Sequence, residues 1–362
     1  MHPLIVNFPV KGCKMIFYNV VMCNFMKYLI LILCISILAG CKKDNPIETP
    51  VKSVFQEKNT WQRIDKYWNT DLNIKNSFVK DNILYLISDG ALIAIDSNRN
   101  IVNSTPIFYK LSSAFFYRPT YNDRYVIQVN SDKRSIFVFE FENPQINKRI
   151  LVDPSYSIDA FGQLNSSNEL LIGLKTNKTI LLTFGTNGNE ITHTIDTIST
   201  SNTYSGIFSS GENHFMTSYD QWTVRYSNKS STFESIGNFR ISNLTTLNDT
   251  IYATLFWTNS SGDGLIFSTD KGITWSQLIS NLRLDYYYIH KLQNDILFSF
   301  YRQVARLRFD FSRGSYSLSP INNSGLLDNM NQEEINSIVK LGDKVFASTS
   351  KGLYYTHIDS LK

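Results

Sequence analysis

The sequence predicts an all-β fold, a seven-bladed β-propeller of four-stranded blades closed by an N-terminal strand, and three observations carry that reading. First, there is almost no helical periodicity beyond residue 60. Short runs alternate apolar with polar residues and are bounded by Asn, Asp, Gly and Ser, the pattern of a sandwich, barrel or propeller. Second, a polar turn leading into an apolar strand recurs at Asp81-Asn82, Asp123-Arg124, Asn168-Glu169, Glu212-Asn213, Asp249-Thr250, Asp295 and Asp343-Lys344, in steps of 42, 46, 43, 37, 46 and 48 residues. A period of about 43 residues is the length of one four-stranded blade. Third, the last unit is one strand short at its end, while a strand stands alone before the first.

In chain order, residues 1–40 read as a secretory signal. Lys27 precedes the apolar run Leu29–Leu38, which ends in Ala39-Gly40-Cys41. The run is shorter than the roughly 20 apolar residues that span a bilayer. Met26 is the expected natural start, because residues 1–25 add nothing a signal requires. Leu38-Ala39-Gly40-Cys41 resembles the lipobox of bacterial lipoproteins, and that resemblance implies cleavage before Cys41 and diacylation of its thiol. It also implies a membrane partner through that lipid. Lys42 stands where an Asp would favour inner-membrane retention, so the outer membrane is the expected address. Residues 41–59 carry the lipidated Cys and a polar, Pro-containing tether, and residues 60–362 form the propeller.

Cysteine and charge narrow the chemistry. Cys13, Cys23, Cys34 and Cys41 all fall at or before the cleavage site, so the mature domain has no disulfide, Cys-based zinc site or Cys nucleophile. Residues 1–41 hold three lysines and no acids, which leaves 32 basic against 31 acidic groups in the mature chain. A near-neutral surface gives no case for nucleic acid.

Each blade reads as strands A to D. The first turn family joins A to B, and a second joins C to D at Asp96–Asn100, Glu142–Asn147, Asn187-Gly188, Asn228–Ser230, Asp270–Gly272 and Ser312–Gly314. Blade five is the clearest, with strands over Arg240–Thr246, Thr250–Trp257, Gly264–Thr269 and Ile273–Leu278. The last unit offers Glu334–Leu341, Lys344–Thr349 and Leu353–Ile358. Thr60-Trp61-Gln62-Arg63-Ile64, which is similar to Thr274-Trp275-Ser276-Gln277-Leu278, is the expected fourth strand. Closing a ring in this way protects edge strands and ties the chain ends together.

Ser268-Thr269-Asp270-Lys271-Gly272-Ile273-Thr274-Trp275 resembles the Asp-box, or BNR, repeat at every position of Ser-x-Asp-x-Gly-x-Thr-Trp. Tyr226–Phe233 is a degraded copy, and Arg308–Ser317 keeps little beyond Gly314. The resemblance implies a propeller in which Ser268, Asp270, Gly272, Thr274 and Trp275 are structural: Asp270 caps its own turn and Trp275 packs between blades. That family holds sialidases, sortilin-type receptors, plant-cell-wall glycosidases and non-catalytic assembly factors, so it marks a fold and not an activity. Lys344–Tyr355 is also similar to the sensor propellers of periplasmic two-component regulators.

In such propellers the ligand face carries the D–A and B–C loops. Here these include Leu111–Phe116, Ser201–Tyr204 and Leu284–Tyr288, then Asp89, Asp132, Asp220 and Trp257–Gly264. Asp285, Tyr286, Tyr287, Tyr288 and Trp257 are the candidate ligand-face residues, because sugar C–H faces stack on aromatic rings beside a carboxylate; inter-blade packing would use the same residues. No catalytic residue, cofactor or metal site is expected. His193, His214, His290 and His357 lack ligand spacing, and no phosphate loop or Gly-x-Ser-x-Gly occurs. A sialidase needs an arginine triad and an early Phe/Tyr-Arg-Ile-Pro. Tyr117-Arg118-Pro119 lacks the Ile, falls in blade two and reads as a strand-to-turn junction. Two functions stay open: a binding or scaffolding module for a protein or glycan, and a glycoside hydrolase or lyase with carboxylates from different blades. Asp196-Thr197-Ile198, Asp249-Thr250-Ile251 and Asp359-Ser360-Leu361 also resemble bacterial O-glycosylation acceptors.

Overall fold

The computed structural model describes residues 4–7, 14–17, 60–64, 72–106, 118–200, 202–220, 222–227, 232–256, 264–280, 282, 284, 287–300, 303–310, 315–326 and 334–361. The chain divides into two compact units, Met1–Val54 and Phe55–Lys362. In the first, Leu4–Asn7 pairs antiparallel with Lys14–Phe17. Cys41, the apolar run Leu29–Leu38 and the tether fall outside the described residues.

The second unit is a ring of seven antiparallel sheets, each of four strands in the order A-B-C-D. Blade one comprises Ile74–Lys80, Ile83–Ser88, Ala91–Ile95 and Ile101–Pro106. Blade two comprises Thr120–Tyr121, Tyr125–Val129, Ser135–Glu140 and Asn147–Leu151. Blade three has Ile158–Phe161, Glu169–Leu174, Lys178–Asn187 and Glu190–Ser199. Blade four has Tyr204–Ser210, Asn213–Ser218, Thr223–Ser227 and Thr232–Gly237. Blade five runs through Ile241–Leu247, Thr250–Leu255, Gly264–Ser268 and Ser276–Ser280. Blade six runs through Tyr288–Leu292, Asp295–Phe300, Gln303–Asp310 and Ser315–Pro320. Blade seven takes Ile335–Leu341, Lys344–Thr349 and Gly352–His357, and its fourth strand is Gln62–Arg63 from the other end of the domain.

The A–B turns explain the polar recurrence. Asp81 and Asn82 have φ of 49° and 60°, and Asn248 and Asp249 have 48° and 60°. Two successive positive φ values make the mirror-image turn that matches strand twist, and Asn and Asp tolerate it best. The strands that follow are buried on both faces. Every residue of Tyr125–Val129 and Glu169–Leu174 is buried, so they read as continuous apolar runs.

The core lies between blades. Each of seven apolar clusters joins two neighbours, from blades one and two (Phe78, Ile87, Val126, Phe139) round to blades seven and one (Phe346, Leu353, Ile74, Leu86). A blade with both faces apolar has no stable end position, so the ring must close. Closure follows the predicted pairing: Gln62 lies opposite Tyr355 and Arg63 opposite Tyr354. Ile64 N donates to Leu353 O at 2.8 Å, and Trp61 N donates to Ser324 O at 2.9 Å. Gly325 sits at φ 87° with its Cα against the Trp61 carbonyl, where a Cβ would lie 2.0 Å from that oxygen. Arg99 Nη1 donates to Tyr355 Oη at 2.7 Å, bracing blade one against the closing sheet.

Several strand bounds differ from expectation by one or two residues, and the largest shift has a local cause. The last strand of blade five begins at Ser276, not Ile273, because Ile273 N and Thr274 N donate to Asp270 Oδ1 at 3.1 and 2.9 Å and are lost to the ladder.

Candidate ligand face and channel

Antiparallel order puts the A–B and C–D turns on one rim and the D–A and B–C loops on the other. Strand A of every blade lines the central channel, a cavity of about 460 Å³. Near its loop-rim end strand A is bulged in five blades, between Ile74 and Asn76, Ile158 and Ala160, Tyr204 and Gly206, Ile241 and Asn243, and Ile335 and Ser337. A bulge re-aims a side chain and frees a backbone position. Lys75, Asp159, Ser205, Ser242 and Asn336 are the extra residues. Beside them, asparagines clasp the next blade: Asn76 Nδ2 donates to Pro119 O (2.8 Å), Asn243 Nδ2 to Tyr287 O (3.0 Å) and Asn336 Nδ2 to Ile74 O (2.6 Å).

Arg118 spans this mouth. It precedes strand A of blade two and reaches past blade one to blades six and seven. Its Nη1 and Nη2 donate to Asn336 O (2.9 Å) and Oδ1 (3.2 Å), and its guanidinium lies 3.3 Å from the centroid of the Tyr288 ring. Tyr288 Oη donates to Glu334 Oε2 at 3.2 Å. Burial pulls the Arg118 pKa down while Tyr288 and Glu334 hold it up; burial also pushes the Tyr288 phenol well above its usual value. His290, deeper in strand A of blade six, bonds through Nε2 to Ser299 Oγ at 2.6 Å, and Ser299 Oγ donates onward to Ile335 O. Burial, then the Arg118 charge, lower the His290 pKa to about 3, so its imidazole is neutral.

A second buried histidine lies toward the turn rim. Asn165 Oδ1 accepts from Ser167 N and Glu169 N, which fixes the amide orientation; Nδ2 then donates to Glu169 Oε2 (2.8 Å) and toward His214 Nε2 (3.4 Å). His214 Nε2 is therefore an acceptor and Nδ1 carries the proton, donated to Ser209 Oγ at 2.7 Å, while Ser209 Oγ donates to Gln163 O. Burial lowers the His214 pKa to about 4. The tautomer faces Ser209 with a donor, so this Ser–His pair is a structural chain and not a base-activated nucleophile.

Among the described residues the channel lining contains no Asp or Glu, and Arg118 is its one arginine. Glycoside hydrolysis needs two carboxylates about 5–9.5 Å apart. Glu334, at the mouth, is already engaged by Tyr288. No group of three or more metal-ligating side chains occurs among the described residues.

The sequence candidates separate. Tyr288 starts strand A of blade six and joins Arg118 and Glu334. Tyr287 stacks on Phe300 with centroids 4.8 Å apart, inside the blade five to six cluster. Asp285, Tyr286 and Trp257 lie outside the described residues. Arg118 leads into strand A of blade two, and its reach across the mouth, and Glu334 with it, were not legible from sequence. The recurrent buried hydroxyls Thr217, Thr254, Ser299 and Ser348 had a signal that could have been found, since they share one place in strand B. Asp89 pairs with Lys75 (3.6 Å), Asp132 with Arg149 (2.6 Å), and Asp220 is exposed.

Ser268–Trp275 lies on the turn rim. Asp270 accepts from Thr274 Oγ1 (2.6 Å), Thr274 N, Ser268 Oγ and Ile273 N, and these bonds hold its carboxyl down at about 2. Ser268 Oγ accepts from Gly272 N, and Trp275 Nε1 donates to Gly272 O. The Trp275 ring meets Phe215 of blade four edge-on at 5.8 Å. Of the three Asp-Ser/Thr-apolar tripeptides, Thr197 is exposed on an outer strand and Ser360 is buried.

No protein-family model matches the chain. No curated protein matches it by sequence. Solved structures do match. A catalytically inactive virginiamycin B lyase from Staphylococcus aureus with quinupristin is 13% identical at a TM-score of 0.56, over 82% of this chain and 98% of that one. The Pan2 WD40 domain of Neurospora crassa is 12% identical at 0.52, over 82% and 95%. YCF48 bound to D1 peptide is 12% identical at 0.52, over 83% and 97%. At such identities the likeness is to the fold: this chain carries a β-propeller.

Proposed function

We propose that this protein is a lipid-anchored, extracytoplasmic propeller of the cell envelope that acts as a binding or scaffolding module, holding a protein or glycan on its D–A and B–C loop rim. The observation that carries this reading is the channel itself. Its polar groups Arg118 and His290 are bonded to Asn336 and Ser299, and its described lining offers no carboxylate for hydrolysis. What remains to meet a partner is the rim. YCF48 with its bound D1 peptide supports a protein ligand for this fold. The signal with Cys41 supports the anchor, and Lys42 the outer membrane.

The test places a photo-crosslinking residue at Asp89 or Asp220 on the loop rim, and at Asn189 on the turn rim, in the native host. Cross-links from the loop rim alone are expected; cross-links from Asn189 alone would sink the assignment. Cys41→Ser releases the protein from the membrane fraction if the lipid anchors it, and unchanged acylation of that variant refutes the anchor.

A further inference from the structure

On the loop rim over blades three to five, four side chains from three blades come together away from the channel, and Trp222 lies on the same loop as one of them. Tyr219 and Trp222 lie on the B–C loop of blade four, which Ser218 closes: Ser218 N donates to Trp222 O at 2.9 Å, and Trp222 N donates to Ser218 Oγ at 3.1 Å. Both rings face water, Tyr219 at 56% exposure and Trp222 at 45%. Water-facing Tyr and Trp on one short loop are unusual where most of the chain's aromatics are packed between blades. Arg240, at the entry to strand A of blade five, sets its guanidinium 4.2 Å from the Phe256 ring centroid and 5.3 Å from that of Tyr219. Asp159, the bulge residue of blade three, lies close enough to Tyr219 for its charge to push the phenol up, after burial.

The electrostatics of the cluster are unbalanced. Among the described residues no carboxylate pairs with Arg240, and its Nε has no hydrogen-bond partner. The cations whose charge is felt at Asp159 are Lys175 and Lys133. A half-buried guanidinium held flat by two rings is pre-organised for a carboxylate, which it binds through paired N–H donors. The apolar part of the surface is two separate rings and not a contiguous patch of the several hundred Å² that a protein interface uses. A flat ligand with its own hydroxyls fits better.

We infer that this cluster is a subsite for an acidic oligosaccharide, with a uronic-acid carboxylate on Arg240 and sugar rings stacked on Tyr219 and Trp222. The inference rests on the loop rim being a binding surface. It makes Trp222 a stacking platform indifferent to charge.

The test is calorimetry on the full chain with oligouronates (galacturonate, mannuronate and glucuronate trimers), their carboxyl-reduced neutral counterparts, and triglutamate. At least one oligouronate is expected to bind tenfold or more tighter than its reduced form and than triglutamate. Arg240→Gln should erase that preference, Arg240→Lys should restore part of it, and Trp222→Ala should weaken acidic and neutral sugars alike. Trp222→Ala alters an exposed ring, so it reports even if Arg240→Gln fails to fold. Equal binding of acidic and neutral trimers, binding of none of the oligouronates, triglutamate bound as tightly, or a preference that survives Arg240→Gln each overturns the subsite. Any of these leaves the wider binding-module reading to its own cross-linking test.

Discussion

At the turn rim Asp270 closes its own hairpin with four donors from the same eight residues; at the loop rim Arg118 of blade two is held by Asn336 of blade seven and Tyr288 of blade six. The two rims of one ring are thus built differently. Turn-rim geometry is solved within each blade, by residues a few positions apart, so it recurs with the period. At the loop rim the asparagine clasps recur with the period, but the Arg118 span joins residues more than 150 positions apart and does not recur. The difference teaches where individuality resides in this protein: the repeated contacts carry the fold, and the unrepeated ones carry what distinguishes this chain.

Acid gives the largest effect. His290 and His214 are neutral in the fold, with pKa values of about 3 and about 4. The unfolded chain takes up a proton near pH 6.5 and the folded one does not, so stability is full above 6.5 and falls as the pH drops toward the folded values. The loss by pH 4 is on the order of 3 kcal/mol for each histidine. Urea titrations at pH 7, 5.5 and 4 measure it, and His290→Gln with His214→Gln should flatten the slope. An unchanged slope in that double variant would remove the two buried histidines from the account. Asp270 adds a part that is present above its unfolded value of 3.8 and is lost as the pH falls through about 2.

Arg118→Met comes next. It breaks the span across the mouth and leaves Glu334 and Tyr288 without their cation, at a cost of about 3 kcal/mol. A midpoint equal to wild type would show that the loop rim needs no crossing strut. On the opposite rim Gly272→Ala is expected to cost about 2 kcal/mol. Gly272 has φ 84°, and a Cβ there would lie 2.3 Å from the ring of Phe215, which is fully buried. Finally, Trp222→Ala should change stability by less than about 0.5 kcal/mol, because an exposed loop ring supports no packing. A larger loss would mean that Trp222 belongs to the scaffold and not to the ligand surface.

Much of the fold was legible because its causes are local. Positive-φ turns demand Asn, Asp or Gly, and strands buried on both faces demand apolar runs. Both leave marks at fixed intervals, from Asp81 to Asp343. The missing fourth strand was legible as well, since Trp61 repeats the place of Trp275. The candidate site was less so. Of the aromatic run Leu284–Tyr288, Tyr287 went to packing on Phe300 while Tyr288 went to the channel mouth. Nothing in the order of residues distinguishes them, because successive positions entering a strand point to opposite faces and the register decides which is which.

The sequence by itself determined the blade period, the turn chemistry and the closing strand. Only the tertiary structure decided that Arg118 meets Tyr288 and Asn336, that His214 carries its proton on Nδ1, and that Arg240, Tyr219, Phe256 and Asp159 come together. The reason is physical. A turn is closed by its own neighbours, whereas these loop-rim contacts are assembled by ring closure, which brings together side chains of different blades.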